Sequence, residues 1–216
     1  LGKATLSIAS DNTYLTTTVK NASLEGKIAY PRNHWSKKLA ATVQIEHIDM
    51  TVIDALNTRE AASAGQVSAP LDPRIFPPIE AKIVRFTRKN QTVKNLVLRA
   101  QPDISGLKVT TLGFAYENMQ LVGQGYWRLK DPQGVNPLFK DQHQTQLELV
   151  LQSDDFGKGF EHIGLNNVIS QGQGTAEVEL SWPGPAYLPS LAELDGRIKL
   201  NVEKGSIIPV EPGAGR

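Results

Sequence analysis

Histidine is the residue type in this chain best suited to binding a transition metal. Zinc sites need at least one pair of ligands at close spacing in the sequence. No histidine here stands three or four residues from another; they are His34, His47, His143 and His162. A surface helix with ordinary polar residues explains the grouping of His162 with Glu161 and Asp155. We therefore predict no metal site.

The acidic pair Asp154 and Asp155 is a second candidate, because two carboxyl groups can serve as acid and base in glycoside hydrolysis. Adjacent acidic residues at a strand-to-helix junction are more often a helix cap and its solvated neighbour. Nucleophilic catalysis lacks its usual signals, since the chain has no Cys and no GxSxG motif. Neither KGFEH nor SQGQG is a phosphate-binding loop, and we interpret residues 171–174 (QGQG) as a flexible lead-in to a strand. We predict no enzyme and no cofactor.

Trp127 in GQGYWRL and Trp182 in LSWPGP stand at the ends of predicted strands. A large amphipathic ring in such a place can cover the edge of a core or line a sugar-binding platform. Coverage of a core edge is the commoner role. A carbohydrate-binding β module that uses these two residues stays open as an alternative.

Composition excludes several classes of partner. The 216 residues carry 23 basic and 22 acidic side chains, a formal net charge of +1, which gives no electrostatic footprint for nucleic acid or an anionic membrane surface. An apolar fraction of 40% is enough for a core. No run approaches the roughly 20 apolar residues of a membrane-spanning helix, and the first residues do not show the basic region and apolar core that predict a signal peptide.

Alternation of apolar and polar residues runs through the chain and predicts a mainly β protein. The clearest strands are LELVL, AEVELSW and RIKLNV in the last third. Eight earlier strands are predicted at 5–10, 14–20, 23–30, 39–47, 79–86, 92–100, 108–116 and 119–129. Alternation alone fits a closed sandwich and an open apolar groove equally well.

Two segments, about 49–64 and about 154–169, depart from this pattern. Both space their apolar residues three to four apart behind an Asp, which predicts two short amphipathic helices. The order strand, Asp, helix and return to strands therefore occurs twice. It suggests two similar modules, 1–68 and 69–216, with the Pro-rich stretch 69–78 (APLDPRIFPP) at the boundary.

Several ordered motifs resemble the YhdP-type branch of the AsmA-like envelope proteins of Gram-negative bacteria. They are DPRIFPPIEAKIVRF, VKNLVLRAQP, GQGYWRL, LELVLQSDDFGKGFEHIGL, GQGTAEVELSWPGP and LAELDGRIKLNVEKGSIIPVEPGAGR. The run from SWPG to PGAGR is the most specific. These motifs cover about 72–216, while the first seventy residues agree only in pattern.

This resemblance implies a bridge-like lipid transfer protein built from elongated, curved antiparallel sheets that form an open hydrophobic groove. Phospholipid acyl chains would move along the groove between the inner and outer membranes. The chain would be an internal, periplasmic segment of a longer protein that an N-terminal helix anchors in the inner membrane. Such a role would support outer-membrane lipid homeostasis and the permeability barrier.

Under this interpretation the apolar residues of the three clearest strands line the groove. They are Leu147, Leu149, Leu151, Ala176, Val178, Leu180, Ile198, Leu200 and Val202. The expected partners are phospholipids, the two membranes and other envelope proteins, without nucleic acid. Two alternatives remain: a structural or assembly rod of the envelope that conducts no lipid, and the carbohydrate-binding module.

Overall fold

The computed structural model describes residues 4–50, 70–88, 91–131, 133, 136, 138–158, 169–189 and 191–207. It is mainly β, with 67% of residues in strands, and all eleven predicted strands are present. The strands are β1 (Thr5–Ser10), β2 (Tyr14–Lys20), β3 (Leu24–Pro31), β4 (Ala41–Asp49), β5 (Ile79–Arg88), β6 (Gln91–Pro102), β7 (Gly106–Tyr116), β8 (Met119–Leu129), β9 (His143–Ser153), β10 (Ile169–Pro183) and β11 (Asp195–Ile207).

The strands form one curved, unclosed sheet in which their order in space equals their order in the chain. Nine of the ten neighbouring pairs are antiparallel, and β4 and β5 are parallel. Consecutive antiparallel strands need only short turns, which the Asp, Asn and Gly residues between them supply. The open groove predicted from the family resemblance is therefore confirmed at the level of fold.

The lead-in interpretation of residues 171–174 is wrong. These residues lie inside β10, which begins at Ile169 and pairs with β11 from Ile169↔Ile207 onward. Gly172 adopts a φ of 106°, a value that glycine reaches without a Cβ penalty. Pairing along β11 holds this glycine-containing stretch in the sheet, which its local composition did not indicate.

The two predicted helices fall largely outside the described residues. β4 continues to Asp49, and residues 51–64 of the first helix are not described. In the second, residues 156–158 are helical and 159–168 are not described. The predicted end of that helix at Ile169 is wrong, because this residue already pairs in β10.

The two predicted helical segments differ in the relative direction of the strands that they connect. β5 lies parallel to β4, whereas β10 lies antiparallel to β9. The one parallel pair, β4 and β5, coincides with the predicted boundary between modules 1–68 and 69–216. The sheet itself runs through this point without a break, and the division into modules stays a prediction.

The strand ends form two rims. The capped rim comprises the connections 11–13, 32–40, 70–78, 103–105, 130–142 and 184–194, and the opposite rim comprises 21–23, 117–118 and 154–158, each in its described part. At the capped rim, segments 70–78 and 184–188, here called the cap, pack over the end of one sheet face. Beneath them Ala100, Leu107 and Trp127 form a buried cluster against Phe76, Ile79 and Val109.

Candidate functional site

The nine residues predicted to line a groove lie together on one face of the sheet. Across β9 and β10 the partners are Leu147↔Leu180, Leu149↔Val178 and Leu151↔Ala176. Across β10 and β11, Val178 pairs with Ile198 and Ala176 with Leu200, while Val202 pairs with Gly174. Directly paired residues project to the same side of a sheet. The register thus brings all nine side chains to what we call the apolar face.

The apolar face extends far beyond these three strands. One row of paired positions crosses all eleven strands, and every member except Thr17 is apolar or glycine. The row is Ile8, Thr17, Ile28, Val43, Ala81, Leu98, Leu112, Gly123, Leu149, Val178 and Ile198. Only its last three members were named from the sequence. The alternation of β1 to β8 was visible there, but which neighbouring residues share a row depends on register.

Most of this face has no second layer over it among the described residues. Leu149 and Ala176 in the middle are buried by their neighbours, yet Ile198 on β11 is 69% exposed and Ile8 on β1 is 66% exposed. Isolated exposed apolar residues are ordinary, but a contiguous face of them marks a binding surface.

The other side of the sheet, here called the polar face, has a different character. The row next to the apolar one reads Ser7, Thr18, Lys27, Gln44, Lys82, Val97, Gly113, Val122, Val150, Glu177 and Lys199. Glu177 and Lys199 form an exposed ion pair at 3.3 Å. This row is polar on β1 to β5 and on β10 and β11, whereas its four positions on β6 to β9 are apolar or glycine. The polar character of this face is therefore strongest on its outer strands.

Irregular pairing occurs within several strands of the curved sheet. Register shifts occur at Glu25/Gly26, Lys94/Val97 and Val109/Leu112, and Asn95 has a φ of 54°. Bulges bend a strand and increase its twist. In β8, Gly123 allows close approach of β9: an added Cβ would lie 2.5 Å from the Glu148 carbonyl oxygen.

The cap closes one end of the apolar face. Trp127 is 5% exposed, and its Nε1 donates a hydrogen bond to Nδ1 of the fully buried His143 at 3.0 Å. Its ring contacts Phe76 at a centroid distance of 5.8 Å and Tyr187 at 5.5 Å. Phe76 and Tyr187 were not among the predicted site residues. Their position over Trp127 depends on contacts between distant parts of the chain.

The contacts of the SWPGP turn explain its sequence. Trp182, also 5% exposed, donates from Nε1 to the Pro185 carbonyl oxygen at 3.1 Å. Gly184 has a φ of 134°, and its carbonyl oxygen accepts a 2.9 Å bond from the Thr145 hydroxyl. Both Trp127 and Trp182 therefore cover core edges. Neither ring is available as a sugar platform in this structure.

Asp72 anchors the start of segment 70–78. Its carboxylate accepts from the Arg74 backbone N–H at 2.9 Å and pairs with the Arg74 guanidinium at 2.8 Å. Partial burial alone would raise the pKa of Asp72, but the Arg74 bonds outweigh it and hold the pKa below its ordinary value. The ionised form therefore stabilises the cap.

The other residues considered for chemistry are dispersed or bonded. His34 stacks on Trp35, and His47 bonds to the Ala22 carbonyl oxygen. Asp155 receives the Lys158 backbone N–H, as a helix cap would. Within the described ranges, no cluster of three or more His, Cys, Asp or Glu side chains has a metal-binding arrangement. His162 lies outside those ranges.

The apolar face is continuous, and the curved sheet does not close. Together with the ordered motifs, these features can be compared with those of known proteins. The model of the YhdP protein family matches residues 2–216. The chain belongs to the YhdP family. The match also includes the first seventy residues, for which the sequence motifs showed agreement only in pattern.

No curated protein and no solved structure matches this YhdP-family chain. Among its described residues, no helix combines the length and the apolar character needed to cross a bilayer. Family membership and the geometry of the sheet are therefore the two observations on which a function can be based.

Proposed function

We propose that this YhdP-family chain forms part of a conduit for phospholipid transport between the inner and outer membranes. The row of apolar residues across all eleven strands is the observation that supports the proposal. Of the nine predicted residues of β9 to β11, those that are exposed or half-buried would contact acyl chains, while Leu149 and Ala176 pack between them. The polar face would stay in the water of the periplasm. The transport would maintain outer-membrane lipid homeostasis and the permeability barrier.

The physical reason lies in what an uninterrupted apolar face offers an acyl chain. Each methylene that leaves water for the face gains about 0.8 kcal/mol. The row contains a single hydroxyl, that of Thr17, and no charge, so no polar group fixes a lipid at one position. A lipid could then slide along the strand-stacking direction without a catalytic step, and no residue is assigned a catalytic role.

The two outer strands fit a longer conduit. β1 and β11 each pair on one side only within the described sheet. Leu6 and Ile8 on β1, and Ile198 and Leu200 on β11, present exposed side chains on the apolar face. Neighbouring modules of an inner-membrane-anchored protein would continue the face on both sides, in keeping with the predicted modules 1–68 and 69–216.

A structural or assembly rod of the envelope is the main alternative. Such a rod has no need for an uncovered apolar face, because polar residues on both faces would serve a spacer better. The carbohydrate-binding alternative loses its platform, since Trp127 and Trp182 are both buried.

The test is the lipid content of the purified chain. We expect native mass spectrometry after gentle purification to find co-purifying phospholipid. Replacing the exposed pair Ile198→Glu and Leu200→Glu should remove it, because a charge on the apolar face repels acyl chains. In the full-length protein the same pair should abolish lipid passage.

A matched control places the same added charges on the polar face instead of the apolar face. Thr175 and Asn201 are paired neighbours on the polar side of the same two strands. The Thr175→Glu and Asn201→Glu variant should retain bound phospholipid. A wild-type chain that carries no lipid, or equal loss in both variants, would support the spacer role instead.

A further inference from the structure

The capped rim carries exposed apolar side chains on its connections, in addition to those on the strands of the apolar face. Nine large apolar side chains are exposed on its connections, with Ile104 at 84% and Trp35 at 70%. Every connection of this rim except 11–13 contributes at least one. The nine residues are Trp35, Leu71, Ile75, Ile104, Leu138, Phe139, Tyr187, Leu188 and Leu194.

The opposite rim is different in its described part. Its residues 21–23, 117–118 and 154–158 include no exposed large apolar side chain. Phe156 is the large apolar residue there, and it is fully buried. Within the described connections, the exposed large apolar side chains thus lie on the capped rim, and such a group of exposed apolar residues marks an interaction surface.

The charges of the capped rim do not favour an anionic lipid surface. Its connections hold six basic and six acidic residues, so their net charge is zero. The basic residues are Arg32, Lys37, Lys38, Arg74, Lys130 and Lys140, and the acidic ones are Asp11, Asp72, Asp103, Asp131, Asp141 and Glu193. Membrane-surface segments usually combine apolar residues with a basic excess. A protein surface fits this edge better.

The charges also differ between the two ends of the rim. At one end the single acidic residue Asp11 is outnumbered by Arg32, Lys37 and Lys38, so this end is basic on balance. The β3–β4 connection carries the exposed Lys37 and Lys38 beside Trp35. At the other end, Glu193 and Asp195 lie beside Leu194. Between these ends, basic and acidic residues alternate as neighbours in Lys130–Asp131 and Lys140–Asp141. About seven strand spacings, roughly 34 Å, separate the basic end from the acidic end.

A surface with this pattern is complementary to itself when one copy is turned by 180°. The basic end of each copy then faces the acidic end of the other, and the apolar residues meet between them. We propose that the capped rim is a two-fold interface with a second copy of this chain. An isologous contact of this kind repeats each pairing twice.

Trp35 is the anchor of the proposed interface. Its ring stacks on His34 at a centroid distance of 4.3 Å, and His34 in turn packs on Tyr30 at 5.3 Å. This backing orients the exposed indole before any partner arrives. Large, pre-positioned aromatic residues are the commonest hot spots of protein interfaces.

The first experiment measures the mass of the 216-residue chain by light scattering coupled to size exclusion, from low to high micromolar concentration. We expect a dimer. Trp35→Ser should weaken its Kd by about tenfold or more. Val122→Ser, at an exposed position on the polar face, is the control that should leave the dimer intact.

The second experiment exchanges charges. A Lys37→Glu and Lys38→Glu variant makes both ends of the rim acidic, and a Glu193→Lys and Asp195→Lys variant makes both ends basic. Each variant alone should be monomeric, because like charges meet at both contacts. An equimolar mixture should form a heterodimer, since opposite charges then meet at both contacts.

Three results would overturn the proposal. One is a monomer at all concentrations. Another is a dimer whose Kd does not change with Trp35→Ser but which is lost when a proline is placed in β1 or β11. That result would indicate pairing of sheet edges. The third is a monomer whose binding to phosphatidylcholine vesicles needs Trp35. None of these results depends on whether the apolar face carries lipid.

Discussion

The capped end of the apolar face and its outer strands share the same alternation of apolar and polar residues but differ in environment. Trp127 and Leu107 at the capped end are each 5% exposed beneath Phe76 and Tyr187. Ile198 on β11 occupies an equally apolar position and remains largely exposed. The same alternation therefore yields a core where the chain folds back over the sheet, and an open surface where it does not.

This difference separates two roles of apolar residues in one sheet. Those under the cap hold the fold together, because they are buried or partly buried in one cluster and the Trp127 N–H is hydrogen-bonded. Those on the outer strands add little to the folding free energy and are free to contact a ligand. Substitutions at the two ends should accordingly differ in kind, and four predictions order them by expected size.

The largest effect is expected at Trp127. Trp127→Ala removes the centre of the capped cluster and the partner of His143, so it should lower the free energy of unfolding by about 3–5 kcal/mol. Chemical denaturation followed by circular dichroism measures this value. A loss below that caused by Ile198→Ala would contradict the assignment of the cap as a core.

The next effect concerns the close approach of β8 and β9 at Gly123. A Cβ there would lie 2.5 Å from both the Glu148 carbonyl oxygen and Leu149 Cδ2. Gly123→Ala should therefore destabilise the fold by about 1–3 kcal/mol. Gly113→Ala is the matched control, since its Cβ would come no closer than 3.5 Å to the Leu121 carbonyl oxygen. Equal effects in the two variants would exclude the close approach of β8 and β9 as the cause.

A smaller, pH-dependent effect is expected at Asp72. Asp72→Asn keeps an acceptor for the Arg74 N–H but loses the charge that pairs with the guanidinium, at a cost of about 1 kcal/mol at neutral pH. Because the folded pKa of Asp72 is depressed, wild type has this advantage above its unfolded pKa of about 3.9. The advantage should disappear as the pH falls through the folded pKa.

Denaturation of wild type and Asp72→Asn at a series of pH values from neutral to acid measures that difference. The two stability curves should converge only at the acid end. A constant difference at every pH would mean that the ion pair with Arg74 is not its source.

The smallest effect is expected on the uncovered face. Ile198→Ala should change the free energy of unfolding by less than about 0.5 kcal/mol, as is usual for exposed positions. The same substitution should still reduce co-purified phospholipid if the face binds acyl chains. A stability loss comparable to that of Trp127→Ala would show that a second layer covers this strand.

Much of the fold was predictable from local pattern. All eleven strands were predicted, and Met119–Leu129 has the predicted bounds. The end of the second helix was harder to predict. Ile169 fits the apolar pattern of a helix as well as that of a strand, and only its pairing with Ile207 assigns it to β10. The interpretation of residues 171–174 was wrong for a similar reason. Their glycine content is typical of a loop, but pairing with β11 places them in a strand.

The sequence by itself determined that each strand has an apolar and a polar side, because side chains alternate along an extended backbone. It also determined the family through its ordered motifs. Only the tertiary structure decided which apolar residues share a row, since a shift of register by one residue would exchange the two faces. It likewise decided which part of the apolar face is buried. Phe76, Tyr187 and Trp127 are far apart in the chain, and nothing local specifies that they meet.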